Sequence, residues 1–170
     1  GYTLDWVAAE AAVQRNWYVL CLKGPQISIG AYDQPAANST VSRSIGFPPK
    51  AALSLTVMGA SSASVQDDAR LGIGAWDDSD NMASAGILDE DAQGTTDTDR
   101  FQSSVYAIRH YDHAQTSDGE ATFAANVNDL DETWTSVDGT QREHVLFVLG
   151  DAAAAPPAGI TPAKQVISIL

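Results

Sequence analysis

The chain is 170 residues long, with 44% hydrophobic residues and 22 Asp+Glu against 9 Lys+Arg, a net charge of −13. The length suits one domain, and the apolar content is enough to build a core, which argues against global disorder. An acidic surface of this kind repels phosphate backbones and anionic membrane surfaces. Nucleic acid and membrane are therefore not expected partners, whereas cations and basic proteins are compatible ones.

In chain order the apolar runs are short, rich in Val, Ile, Leu, Tyr and Trp, and broken by Gly, Pro, Asp and Ser, which is the punctuation of strands. Strands are predicted near Tyr2–Trp6, Trp17–Leu22, Gln26–Tyr32, Thr40–Ile45, Ala51–Met58, Arg70–Trp76 and Met82–Leu88. They continue near Phe101–Tyr111, Ala121–Val127, Thr133–Val137, Val145–Leu149 and Gln165–Ile169. Val7–Gln14 is the one helix candidate, and it is short for an independent helix. The acidic stretch Val65–Arg100 reads as long solvated loops around two short strands, and Ala152–Pro162, built of small residues and proline, reads as a linker. The expected fold is therefore an all-β antiparallel β-sandwich, or a jelly-roll-like fold, with long acidic loops and at most one short helix.

Residues 51–58 (AALSLTVM) read as a buried strand, with Leu53, Leu55, Val57, Leu146 and Val148 as expected core positions. The single cysteine, Cys21, excludes an intrachain disulfide and sits in an apolar run where it packs as a small hydrophobe. No apolar stretch reaches bilayer-spanning length, and no signal peptide is read at the start. A Trp-bearing strand, an apolar strand ending in Gly and a QxI-type strand occur near the N-terminus and again near the C-terminus. This echo suggests a unit of a tandem array. The expected division is 1–24 as a closing hairpin, 25–151 as the sandwich core, and 152–170 as linker and terminal strand.

No catalytic motif stands out: there is no Gly-x-Ser-x-Gly elbow, no phosphate-binding Gly-rich loop and no His-Glu-x-x-His. The carboxylates Asp77, Asp78 and Asp80 are a weak calcium candidate, because oxygen ligands at close spacing suit that ion, although the loop lacks the glycine and distal glutamate of an EF-hand. A solvated acidic turn is the plainer reading, as it is for Asp89–Asp91 and Asp97–Asp99. On a strand His110 and His113 point to opposite faces, so a shared zinc is not expected. His110 and Asp112 are candidate partner contacts instead. Of the four tryptophans, Trp6, Trp17 and Trp134 are read as core. Trp76 is the best candidate for an exposed aromatic, though even for it packing under a loop is the favoured reading.

Three landmarks carry a family resemblance: Ile45-Gly46-Phe47-Pro48-Pro49-Lys50 before an apolar strand, Leu71-Gly72-Ile73-Gly74-Ala75-Trp76 before an acidic loop, and a Trp-bearing strand leading to Val145–Gly150. Together they resemble the Gly-Phe-x-Pro β-sandwich structural proteins of tailed bacteriophages. Gly1-Tyr2-Thr3-Leu4-Asp5-Trp6, followed by Tyr18-Val19-Leu20-Cys21-Leu22-Lys23-Gly24, matches the closing hairpin of that family. The second copy, near Thr133–Gly150, lacks the Gly-aromatic start. The resemblance implies a non-enzymatic virion component, a capsid-surface decoration or a tail or fibre module. Such a component acts in an extracellular particle through assembly with other virion proteins and further copies of itself, and needs no cofactor. A carbohydrate- or receptor-binding module of a tail fibre, using Trp76 and the acidic loop on a glycan, is the alternative.

Overall fold

The computed structural model describes residues 25–58, 69–90, 98–112 and 116–152. They form ten strands: β1 (Pro25–Asp33), β2 (Thr40–Ser44), β3 (Pro49–Thr56), β4 (Ala69–Asp77), β5 (Met82–Asp89), β6 (Thr98–Ser103), β7 (Ile108–Tyr111), β8 (Ser117–Asn126), β9 (Asp129–Val137) and β10 (Glu143–Ala152). The strands assemble into a six-stranded sheet ordered β1-β10-β3-β4-β5-β6 and a four-stranded sheet ordered β2-β9-β8-β7, antiparallel throughout. The two sheets pack face to face, and no helix occurs among the described residues. The fold is the β-sandwich that the strand punctuation predicts. The predicted helix Val7–Gln14, the strands Tyr2–Trp6, Trp17–Leu22 and Gln165–Ile169, Cys21 and His113 lie outside the described residues, as do the segments flanking the core.

Two expectations are corrected. The run Phe101–Tyr111 is not one strand. The Ser103 hydroxyl accepts the Val105 and Tyr106 amides at 3.1 and 3.3 Å, which turns the chain out of β6 in one sheet and into β7 in the other. The two strands expected in the acidic stretch are present as β4 and β5, nine and eight residues long, which pair along most of their length, from Ala69↔Asp89 to Trp76↔Met82. Leu53, Leu55 and Val57 are not core. They point outward and are 45%, 48% and 60% exposed, whereas Ala52, Ser54, Thr56 and Met58 take the inner positions. Leu146 and Val148 are buried as expected.

The reason is steric and lies where β3 and β4 approach β7. A Cβ at Gly74 would overlap the Ala107 carbonyl oxygen, and Ser54 Oγ already donates to that oxygen at 2.7 Å. Only small inner residues fit there, so the alternation of β3 places its large aliphatics on the other face. The apolar core gathers Ile45, Phe47, Trp76, Phe123, Leu130, Trp134, Leu146 and Val148. The Gly46–Phe47 turn closes one end. Gly46 has φ +85, the Ile45 and Gly46 amides donate to the Asn128 carbonyl, and Phe47 occupies the space beside Gly150.

Candidate functional site

Toward the other end the interior is polar. Glu132, fully buried on β9, accepts Arg43 Nη2 at 2.8 Å, His144 Nε2 at 3.1 Å and Trp134 Nε1 at 3.4 Å. Burial pushes the Glu132 carboxyl up, but the hydrogen bonds and charges of His144 and Arg43 outweigh it and hold the group below the ordinary glutamate range. His110, also fully buried, donates Nδ1–H to Gln34 Oε1 at 2.7 Å, with Nε2 3.2 Å from Thr56 Oγ1. Burial, and then the nearby His144 and Arg142, push its pKa down to about 3, so it is neutral at physiological pH. The Arg142 guanidinium, 5% exposed, reaches Asp118 at 2.8 Å, Asp138, and the Met58 carbonyl at 2.9 Å. The hydrogen bond from Arg142 is the first cause that holds Asp138 down at about 2. Most of the contacts of these groups are to one another, as in a structural network, while Arg43 Nε and His144 Nδ1 are buried without a hydrogen-bond partner.

The residues singled out from sequence are placed apart. Trp76 is 3% exposed and His110 is 0% exposed, so neither offers surface to a partner and both are corrected to interior positions. Asp112, half-buried beyond β7, accepts the Thr116 amide at 2.8 Å. Asp77 accepts the Ser79 and Asn81 amides and the Asn81 side chain. The hydrogen bond from the Asn81 side chain is the first cause of its lowered pKa. Asp78 pairs with Lys50 at 2.7 Å. Asp77 is thus committed to holding its own turn and Asp78 to an ion pair with Lys50 of β3. Among the described residues no group of three or more His, Cys, Asp or Glu side chains is arranged to hold a metal.

The surface feature is the outer face of the six-stranded sheet. In the register, Ile29, Phe147, Leu53, Ala75 and Ala83 form one row, and Ala31, Val145, Leu55, Ile73, Ala85 and Gln102 form the next. Leu71 and Ile87 add a third row that ends at Arg100. Ile29, Leu53, Leu55, Leu71, Ile73 and Ile87 are each about half exposed. Small side chains on β4 and β5 leave a depression of about 540 Å³ lined by Leu53, Ile73, Ala75, Ala83, Ala85 and Gln102. The outer face of the four-stranded sheet is the opposite in character: Thr40 pairs with Thr133, Ser42 with Asp131, and Thr135 follows on β9. An antiparallel sheet with one solvated face ordinarily shows polar residues there, as the smaller sheet does. The apolar rows cross β1, β10, β3, β4 and β5 and meet the polar Gln102 and Arg100 on β6, a contiguous exposed apolar face of the kind found at interaction surfaces.

Sequence reasoning missed this face and the Glu132 network. The signal for the network was present: Leu130, Glu132 and Trp134 share one side of β9, so an acid is flanked by two core residues in strict alternation. No family, no curated protein and no solved structure matches the chain.

Proposed function

We propose that this chain is a non-enzymatic assembly module that works by docking the outer face of its six-stranded sheet, in the setting of a bacteriophage virion. The observation that carries the reading is the apolar outer face, set against the polar outer face of the smaller sheet. Burial of that face is the contribution such a module makes to a particle. The Gly-Phe-x-Pro resemblance supplies the virion setting, as a capsid-surface decoration or a tail or fibre module. Other virion proteins and further copies of the chain are the proposed partners. The glycan-binding alternative loses its aromatic, since Trp76 is in the core.

The test is incorporation. Particles propagated with the wild-type chain and with Leu55→Thr/Ile73→Thr are purified and imaged with a label on the chain. The reading expects the wild type at repeated, symmetry-related positions, and the folded double variant in solution but missing from particles. A wild-type chain absent from particles, or a variant incorporated equally well, overturns it.

A further inference from the structure

The occupant of the apolar face can be read from the face itself, because its shape and its charges are self-complementary. Large side chains lie on one half: Ile29 on β1, Phe147 and Val145 on β10, Leu53 and Leu55 on β3. The other half carries Ala75 on β4 and Ala83 and Ala85 on β5, which create the depression, beside the larger Leu71, Ile73 and Ile87. A two-fold axis lying in the interface and parallel to the strands brings β10 of one copy over β5 of the other, and β3 over β4. Each row then meets itself in reverse. Phe147 falls on the partner copy's Ala83, Val145 on its Ala85 and Leu53 on its Ala75, so bulk meets depression at these positions, while Leu55 packs on the partner copy's Ile73.

The charges at the margins obey the same operation. At the β1–β10 side Asp33, whose carboxylate accepts Gln141 Nε2 at 2.6 Å, and Glu143 are direct cross-strand partners, both exposed, a pairing of like charges. At the β6 side the row of Leu71 and Ile87 ends on the exposed Arg100. His144, Thr56 and Gly72 share a row, so Glu143, Val57 and Leu71 lie one residue further along in the next. Arg100 and the two carboxylates therefore stand at opposite ends of one row, and the two-fold places each Arg100 on Asp33 of the other copy, with Glu143 on the adjacent strand over Ile87. Six strands at roughly 4.8 Å spacing give a face about 24 Å across.

Resting on the assembly reading above, we infer that the outer face of the six-stranded sheet docks a second copy of this chain about a two-fold axis parallel to its strands, with Phe147 seated in the partner copy's alanine-lined depression and Arg100 on its Asp33. The packing is that of two aligned sheets, so the dimer is a four-layer stack with the polar sheets outermost.

The test is sedimentation velocity of the full chain over a range of concentrations. The wild type is expected to dimerise. Arg100→Glu weakens the dimer at least about tenfold, and adding Asp33→Arg to that variant restores it, a rescue that only this pairing predicts. Ala83→Trp fills the depression and also yields monomer, with circular dichroism showing that each variant keeps the wild-type strand content. A wild type that stays monomeric overturns the inference and leaves the face to residues 1–24 of the same chain or to a different protein. The assembly reading is then judged separately by particle incorporation. A dimer that survives either Arg100→Glu or Ala83→Trp, or a charge reversal that Asp33→Arg does not rescue, overturns the inference as well.

Discussion

Leu55 and Ile73 are direct cross-strand partners on β3 and β4, and both turn away from the core, 48% and 51% exposed. Their strand neighbours Ser54 and Gly74 face inward against Ala107. The apolar and polar sides of this region are thus reversed from those of an ordinary half-solvated sheet. The reversal sets the first expectation, which concerns stability.

Leu55→Thr and Ile73→Thr remove little burial and leave a β-branched residue, which suits a strand, at each position. Each is expected to shift folding stability by no more than about 0.5 kcal/mol at concentrations where the chain is dilute. Leu146→Ala removes a fully buried side chain between the sheets and is expected to cost about 2–4 kcal/mol. Urea unfolding of the three variants checks the contrast. A large loss from the threonine variants in dilute solution would show that their side chains are covered within the single chain.

A second expectation concerns pH. His110 is held near 3 in the folded chain, well below the 6.5 of an ordinary histidine. Between those values the unfolded chain binds the proton and the folded chain does not. Stability from this group is therefore complete above about pH 6.5 and falls as pH drops from there toward 3, with a limiting slope of about 1.4 kcal/mol per pH unit. Asp138, held at about 2, adds a further loss only below the ordinary carboxylate value of 3.8. Unfolding curves from pH 7 to pH 4 should show the slope, and His110→Gln should flatten it. A wild-type profile that is level over that range contradicts the burial of a neutral His110.

Glu132 is the hub of the buried network, and its removal leaves Arg43 and the His144 ring without their shared acceptor. Glu132→Ala is expected to cost about 3–5 kcal/mol, because it leaves a cation in the interior without its counter-charge. Arg43, at the margin of the network, is more accessible than Glu132, so Arg43→Ala should cost less. Thermal unfolding of both variants decides the order, and an equal or reversed order would mean that the network is more hydrated than its burial indicates.

The turn between β8 and β9 offers a gain. Val127, 80% exposed, has φ +52, a conformation that a β-branched side chain resists. Val127→Gly relieves this strain, and so exposed a side chain has little packing to give up. The variant is expected to raise stability by about 1 kcal/mol. A destabilised variant in the same unfolding assay would show that the valine side chain packs well enough to outweigh the strain.

The strands were legible because short apolar runs bounded by Gly, Pro, Asp and Ser have few other ways to fold. The facing of those strands was not. Alternation in Ala51–Met58 divides the residues into two sets but does not say which set is inside. The large aliphatics Leu53, Leu55 and Val57 pointed to the wrong answer. The deciding contact, Ala107 against Gly74 and Ser54, joins residues far apart in the chain. His110 was misread for a similar reason: a histidine near Asp112 looks solvated until Gln34 and Thr56 are brought to both of its ring nitrogens. The Gly46–Phe47 turn could be read locally, since both the positive φ and the buried ring belong to the motif itself.

The most direct measurement of the central claim is an electron cryo-microscopy reconstruction of the chain within its native assembly, at a resolution that places side chains. The account predicts that Leu53, Leu55, Ile73 and Val145 are covered by a neighbouring subunit while Thr40, Ser42, Thr133 and Thr135 face solvent. A reconstruction with the six-stranded sheet's outer face in open solvent, and the polar sheet at the contact, would contradict it.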